Sequence, residues 1–182
     1  MTGQVNFDSH ISSALVGAVE LVNAVTTGMR GGRPVAVPEG PALVDAVTSA
    51  IRTGSPKAEP VSTSGAEELA RWAARLRSVV EHVEHDRIDD ACAGLNEVLR
   101  ETGAVPTLSR HDGEPWHLHF HRPEAGEAES WAAPMATALA VLLGNPAVDR
   151  LGLCNAPACD RVYVDGSRNG TAASAPRPAR GG

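Results

Sequence analysis

The sequence is poor in aromatic residues, which make up 3% of the chain, although hydrophobic residues as a whole reach 42%. A core must therefore be built from Ala, Val, Leu and Ile, and such abundant Ala favours helices. Cysteine is also sparse: the chain has Cys92, Cys154 and Cys159. An odd and small number does not indicate a disulfide framework. The net charge of -6 makes the chain as a whole a poor non-specific binder of polyanions.

Long apolar runs of the kind that span a bilayer are absent from the sequence. The N-terminus also lacks the basic region and apolar core of a signal peptide. We therefore expect a cytoplasmic protein with no membrane partner. The 182 residues are sufficient for one ordinary domain and a small appendage. Neither a Gly-rich phosphate loop nor a Gly-x-Ser-x-Gly elbow occurs, and the sequence predicts a protein that is not an enzyme.

Apolar residues at helical spacing predict five helices. They are expected over residues 8–27, 41–52, 64–84, 86–101 and 127–143. Ser64 and Glu67 have the spacing of a capping box for the third helix, and Gly103 suits the end of the fourth. The stretch 28–40 is rich in Gly and Pro and is interpreted as a loop. Cys92 lies on the apolar stripe of the fourth helix and is expected in the core.

Two strands joined by a hairpin turn are predicted at residues 107–110 and 115–121, because the connecting 111–114 contains Asp-Gly. The second strand alternates an apolar set with a histidine set: Trp116, Leu118 and Phe120 against His117, His119 and His121. Side chains alternate along a strand, so the three imidazoles share one face. That face can bind a metal or a small ligand. Alternatively, it is simply the solvent side, opposite an apolar face on the core.

The pair Cys154 and Cys159 spans a tight turn that contains Pro157, with short strands predicted on either side at 151–153 and 161–164. This spacing lets both sulfurs point at one metal. Two thiolates do not close a tetrahedral structural zinc site, which needs four ligands. The alternative is two ordinary cysteines near a turn.

The segment from Leu153 to Thr171, LCNAPACDRVYVDGSRNGT, resembles the start of the CGNR-type zinc finger. That finger usually follows an ABATE domain in bacterial stress-induced transcription regulators. The stretches NFDS, LVN and WHLHFH, at residues 6–9, 21–23 and 116–121, resemble the ABATE pattern. The resemblance implies that Cys154 and Cys159 are the first two of four zinc ligands and that the finger binds DNA. In a complete finger Arg161 and Arg168 could contact phosphates. In the chain as it stands they are interpreted as ordinary loop or strand charges.

The tail at residues 172–182 departs from this family, because it contains only Ala, Ser, Pro, Arg and Gly. The family continues with basic residues, an aromatic and a second cysteine pair within C-x-x-x-C-G-N-R. Read one base earlier, the degenerate codons for residues 172–176 can spell Arg-Arg-Phe-Cys-Ser. We therefore interpret the tail as a frameshift product, with natural divergence as the alternative. Zinc and DNA binding are expected to be impaired, residues 165–171 to be poorly anchored, and the tail to be disordered.

The sequence as a whole predicts a mainly α fold with a β-hairpin, of the α+β class. A helical ABATE-like domain is expected over residues 6–148, an incomplete treble-clef-like finger over 149–171, and the tail beyond. The predicted function is a DNA-binding transcription regulator with zinc as its cofactor. Its helical domain would sense a signal or pair with a second copy as a homodimer. The competing hypothesis is a ligand-binding, metal-binding or enzymatic domain that uses His117, His119 and His121.

Overall fold

A computed structural model describes residues 7–110, 116–145 and 150–165, and it is mainly helical with small antiparallel strand pairs. The helices within these residues are α1 (Phe7–Val25), α2 (Gly40–Gly54), α3 (Thr63–Glu84), α4 (Ile88–Glu101) and α5 (Glu127–Leu143). The strands are β1 (Gly28–Arg30), β2 (Arg33–Val35), β3 (Thr107–Ser109), β4 (His117–His119), β5 (Leu151–Leu153) and β6 (Val162–Val164). The predicted α+β class is confirmed. In the described parts, no helix combines the length and the apolar character needed to cross a bilayer.

The core lies between the helices, where α1 packs against α2, α3 and α5, and α3 also packs against α4. Its buried hydrophobic side chains in the described residues are Ala, Val, Leu and Ile, together with Met135. This agrees with the composition, which offers few aromatic residues for burial. Cys92 is half-buried on α4, so it lies at the margin of the core expected to contain it.

The start of α3 differs from the predicted capping box. The N-cap is Ser62, whose Oγ accepts a hydrogen bond from the Gly65 N–H at 3.0 Å. Glu127, in the first turn of α5, accepts a hydrogen bond from the Ser62 N–H at 3.1 Å and another from its hydroxyl. The prediction that Ser64 and Glu67 form the cap is wrong, because this tertiary contact and the local cap both favour Ser62.

Two residues with a left-handed backbone conformation follow the ends of α3 and α4. Asp86 has φ 58°, and the Arg87 N–H reaches back to the His82 carbonyl at 2.9 Å. This closes α3 and delays α4 until Ile88, two residues after the predicted start. Gly103, with φ 62°, follows α4 as predicted, since glycine adopts this conformation at no steric cost.

Residues 28–35 form a hairpin where a loop was predicted. Strands β1 and β2 pair antiparallel, with Gly28 opposite Val35 and Arg30 opposite Arg33. The two turn residues are glycines 31 and 32, whose φ angles of 54° and 82° match the hairpin turn that follows the twist of the strands. The interpretation as a loop is wrong, because a two-residue Gly-Gly turn is itself a hairpin signal. Pro34 is tolerated because the pair has only edge strands.

The last hairpin, β5 with β6, packs on α1 and α3 and joins the helical core. Leu151 is fully buried and Val162 is 5% exposed. The two predicted domains therefore share one core in the described residues, and the predicted boundary at 148 falls within 146–149, outside them. Asp165 was expected to be poorly anchored. It is buried, and its N–H donates to the Arg150 carbonyl at 2.9 Å, so that expectation is wrong for Asp165. Residues 166–182 lie outside the described residues.

Candidate functional site

The histidine strand carries its three imidazoles on one face, as the alternation predicts. Strands β3 and β4 pair antiparallel, with Ser109 opposite His117 and Thr107 opposite His119. The ring centres of His117 and His119 are 4.7 Å apart, and those of His119 and His121 are 5.2 Å apart. Only residues 117–119 form the strand, and the connecting residues 111–115 lie outside the described residues.

The histidine face does not point into solvent. All three imidazoles are half-buried and line a cavity. Trp116, expected on the core side, is 64% exposed, and Leu108 across the hairpin is 65% exposed. The Arg110 guanidinium lies 5.6 Å from the Trp116 ring centre, a cation–π contact that holds the indole at the surface. The three imidazoles therefore do not form an open solvent face, and Leu118 and Phe120 of the apolar set line the same cavity.

Hydrogen bonds within this cluster restrict its protonation. The Nε2 atoms of His117 and His119 are 2.8 Å apart, so one of them donates and the other accepts. The His121 Nδ1 lies 2.9 Å from the Arg122 carbonyl oxygen, which only accepts, so Nδ1 carries the proton. In the described part of the chain, no three or more His, Cys, Asp or Glu side chains are grouped so as to hold a metal.

The cavity beside the histidines has a volume of about 630 Å³. Its walls come from α1, the end of α2 with the loop that follows, β4 with the residues after it, and α5. The lining residues are Ser13, Ala14, Gly17, Ile51, Gly54, Ser55, Pro56, Lys57, Ala58, His117, Leu118, His119, Phe120, His121, Ser130, Trp131, Pro134 and Met135. Such a volume is typical of a site for a small molecule.

The cysteine turn brings its two sulfurs together. The Cys154 N–H donates to the Arg161 carbonyl at 2.8 Å, and the Cys159 N–H donates to the Ala156 carbonyl at 3.1 Å. Ala158 adopts a left-handed φ of 51°, which lets the chain reverse over a few residues. The two side chains hydrogen-bond each other and are half-buried. This arrangement suits a pair of ligands to one metal ion.

The two thiols differ in acidity. The backbone N–H of Arg161, the Cys154 side chain and the backbone N–H of Gly31 hydrogen-bond the Cys159 sulfur and lower the pKa of Cys159. At Cys154 the Ala156 backbone N–H acts in the same direction, but the hydrogen bond with Cys159 and burial outweigh it and raise the pKa of Cys154. As pH rises, Cys159 therefore loses its proton before Cys154 does. The Cys154 thiol then donates a hydrogen bond to the Cys159 thiolate.

The β1–β2 hairpin supports this turn. The Gly32 N–H donates to the Ala158 carbonyl at 2.9 Å. The Asp160 N–H donates to the Met29 carbonyl at 3.1 Å, and the Met29 N–H donates to the Asp160 carboxylate at 2.9 Å. Sequence reasoning missed this partner of the cysteines, although the Gly-Gly pair could have indicated it.

Arg161, a candidate for a phosphate contact in a complete finger, is part of the folded core. It is 6% exposed and donates to the carbonyls of residues 23, 26 and 27 at the end of α1, over 3.0–3.3 Å. It also pairs with the Asp160 carboxylate at 2.7 Å. A cation at a helix C-terminus is favourable. The predicted DNA contact does not fit this geometry, and Arg168 lies outside the described residues.

Asn23 is a second anchor that sequence reasoning missed. Its side chain is 8% exposed, donates to the Val162 carbonyl and accepts from the Val162 N–H, both at 2.8 Å. The amide thus pairs with the edge of β6 as another strand would. Asn23 is the last residue of the Leu-Val-Asn stretch of α1. Earlier in the same helix, Ser13, Ala14 and Gly17 line the cavity. Helix α1 therefore contacts both the histidine cavity and the cysteine segment.

Comparison with known families gives the class of this helical domain. Residues 16–146, most of the chain, match a family model described as "Putative stress-induced transcription regulator". The chain belongs to this family, ABATE. The description is that of a regulator rather than an enzyme. A search of curated proteins found no match to the chain. The cysteine turn lies beyond the matched residues.

Proposed function

We propose that this protein is a DNA-binding transcription regulator whose residues 149–171 are the first half of a CGNR-type zinc-binding module. The observation that carries the proposal is the paired thiols of Cys154 and Cys159 in a turn anchored to an ABATE domain. Backbone N–H groups donate to both sulfurs, and at Cys159 the net effect lowers the pKa of the thiol, which favours the thiolate that zinc binds.

Zinc would be held incompletely by the described residues. Cys154 and Cys159 would supply two of the four ligands that a structural zinc site needs. Residues 172–182 contain neither cysteine nor histidine. Zinc bound by a complete set would cross-link the module and hold its DNA-binding surface in place. We therefore propose that zinc and DNA binding are weak in this chain.

The electrostatics support weak DNA binding as well. The net charge is -6, and binding of the DNA backbone depends on cations that contact phosphates. Arg161 is committed to α1 and Asp160, so it does not provide such a contact without losing its buried partners. DNA contacts would have to come from residues of a completed module.

The test compares the chain with a version extended by the shifted-frame continuation through C-x-x-x-C-G-N-R. Zinc per chain is measured by a chromophoric chelator after dialysis, and DNA binding by gel shift on the region upstream of the gene. We expect about one zinc and a shifted band only for the extended chain. The matched control is the extended chain with Cys154→Ser, which should lose both. An extended chain that binds neither zinc nor DNA would remove the main support for the proposal.

A second function is favoured by the histidine cavity: the helical domain binds a small ligand or a metal there. No reaction is proposed. The metal version is tested on the full chain carrying Cys154→Ser and Cys159→Ser, because Leu151 and Val162 belong to the core and truncation at 148 would expose it. Stoichiometric Ni²⁺ or Zn²⁺ binding that is lost when His117, His119 and His121 become Ala would support a metal site. Absence of metal binding would leave an organic ligand as the occupant.

A further inference from the structure

Among the described residues that line the cavity, Lys57 carries a positive charge and none is Asp or Glu, although the chain has 22 acidic residues. Lys57 is also the only lysine in the sequence. A concave site whose described lining has a cation and no carboxylate favours an anionic ligand, because attraction is not offset by like charge.

The cavity wall offers donor groups to a ligand, among them the ammonium of Lys57 and the hydroxyl of Ser13. Other polar side chains already have partners: Ser130 Oγ donates to the Glu127 carbonyl, His117 and His119 bond each other, and His121 bonds the Arg122 carbonyl. A carboxylate is an acceptor with two oxygens, so it suits the donors of Lys57 and Ser13. Hydrogen bonds to a charged acceptor are about twice as strong as those between neutral groups.

The remaining wall is apolar. It includes Ile51, Phe120, Trp131 and Met135. Phe120 and Trp131 are two of only six aromatic residues in the chain, so this cavity holds a large share of a scarce type of side chain. Flat aromatic surfaces suit an apolar, planar ligand body.

We propose that the cavity binds a small organic carboxylate with an apolar, planar body, held at the carboxylate by Lys57. This rests on the second proposed function, ligand binding by the helical domain. A metal ion is the less favoured occupant, because the described residues contain no group of three or more ligating side chains placed around one point. A carboxylate needs no such convergence.

The test uses isothermal titration of the full chain with three probes that share one body: naphthalene-2-acetate, its primary amide and 2-(naphthalen-2-yl)ethylamine. They carry a negative, no and a positive charge. We expect the acid to bind at least about tenfold more tightly than the amide, and the amine to bind most weakly. Equal affinity for acid and amide would overturn the anion inference while ligand binding by the cavity stands. No binding of the acid would also overturn it.

The matched variants are Lys57→Gln and Arg71→Gln, which remove one positive charge each. Both residues are exposed, so neither substitution endangers folding. Lys57→Gln should weaken the acid about three- to fivefold and leave the amide unchanged. Arg71→Gln, on α3 and absent from the cavity wall, should change neither. A similar loss in both variants would mean that net charge, rather than the cavity, attracts the acid.

Discussion

Replacing Arg161 by Met should lower the free energy of unfolding by about 3 kcal/mol. The guanidinium donates to three backbone carbonyls at the end of α1 and to the Asp160 carboxylate. Met keeps the apolar stem but leaves those carbonyls without this donor, at about 1 kcal/mol each. The lost ion pair adds little, because Arg77 still lies 3.1 Å from the Asp160 carboxylate.

Urea unfolding followed by circular dichroism measures this change, and a chain of this size should also lose about 6–12 °C in Tm. The matched control is Arg71→Met, which removes an exposed arginine from α3 and should stay within about 0.5 kcal/mol of the native chain. A loss below about 1 kcal/mol in Arg161→Met would refute the reasoning, since the buried hydrogen bonds would then contribute little.

Three further substitutions test the surroundings of the two sites. Gly28→Ala should cost about 2 kcal/mol, because φ is 147° and a Cβ would collide with the Arg161 guanidinium and the Asp160 carboxylate. Gly54→Ala, at the cavity wall, should cost on the order of 1–3 kcal/mol, because a Cβ would meet the Ser13 carbonyl oxygen. Asp160→Asn should be destabilising at neutral pH. Burial raises the pKa of Asp160, but the hydrogen bond from Arg161 and other contacts outweigh it and lower that pKa. The ionised form therefore stabilises the fold above the ordinary aspartate pKa of about 4, and this contribution disappears as pH falls through the folded value.

Urea denaturation measures all three, and for Asp160→Asn it is repeated from pH 7 to pH 3. Gly94→Ala is the control for the glycine variants. Gly94 lies inside α4, and an added Cβ would contact only Val79, at 3.9 Å. The substitution should therefore stabilise the chain by up to about 1 kcal/mol. A destabilised Gly94→Ala would contradict the steric argument. A gap between native chain and Asp160→Asn that widens towards pH 3 would contradict the sign of the pKa shift.

The local pattern of the sequence predicted the helices well, because each has an apolar stripe that a single neighbouring layer can bury. Their ends were less predictable. The cap of α3 depends on Glu127, which lies 65 residues from Ser62 in sequence. Such a contact leaves no local signature, so the rule for a capping box selected Ser64 instead.

The candidate sites also combine features that the local sequence predicted with features that depend on tertiary contacts. Alternation placed His117, His119 and His121 on one face, which is a property of any strand. Which side of the hairpin meets the helices depends on how it docks, and alternation does not contain that information. Likewise, the spacing of Cys154 and Cys159 indicated a turn with paired sulfurs, but not the β1–β2 hairpin that supports it.

By itself the sequence determined the helical class, the shared histidine face and the resemblance to ABATE, because these follow from composition, period and local motifs. The tertiary structure decided the role of Arg161. In the sequence it is a charge beside a zinc-binding motif and therefore a candidate for phosphate. In the fold it lies over the end of α1, where unpaired carbonyls need a donor. That partner is more than 130 residues away, and only the packing of β6 on α1 brings the two together.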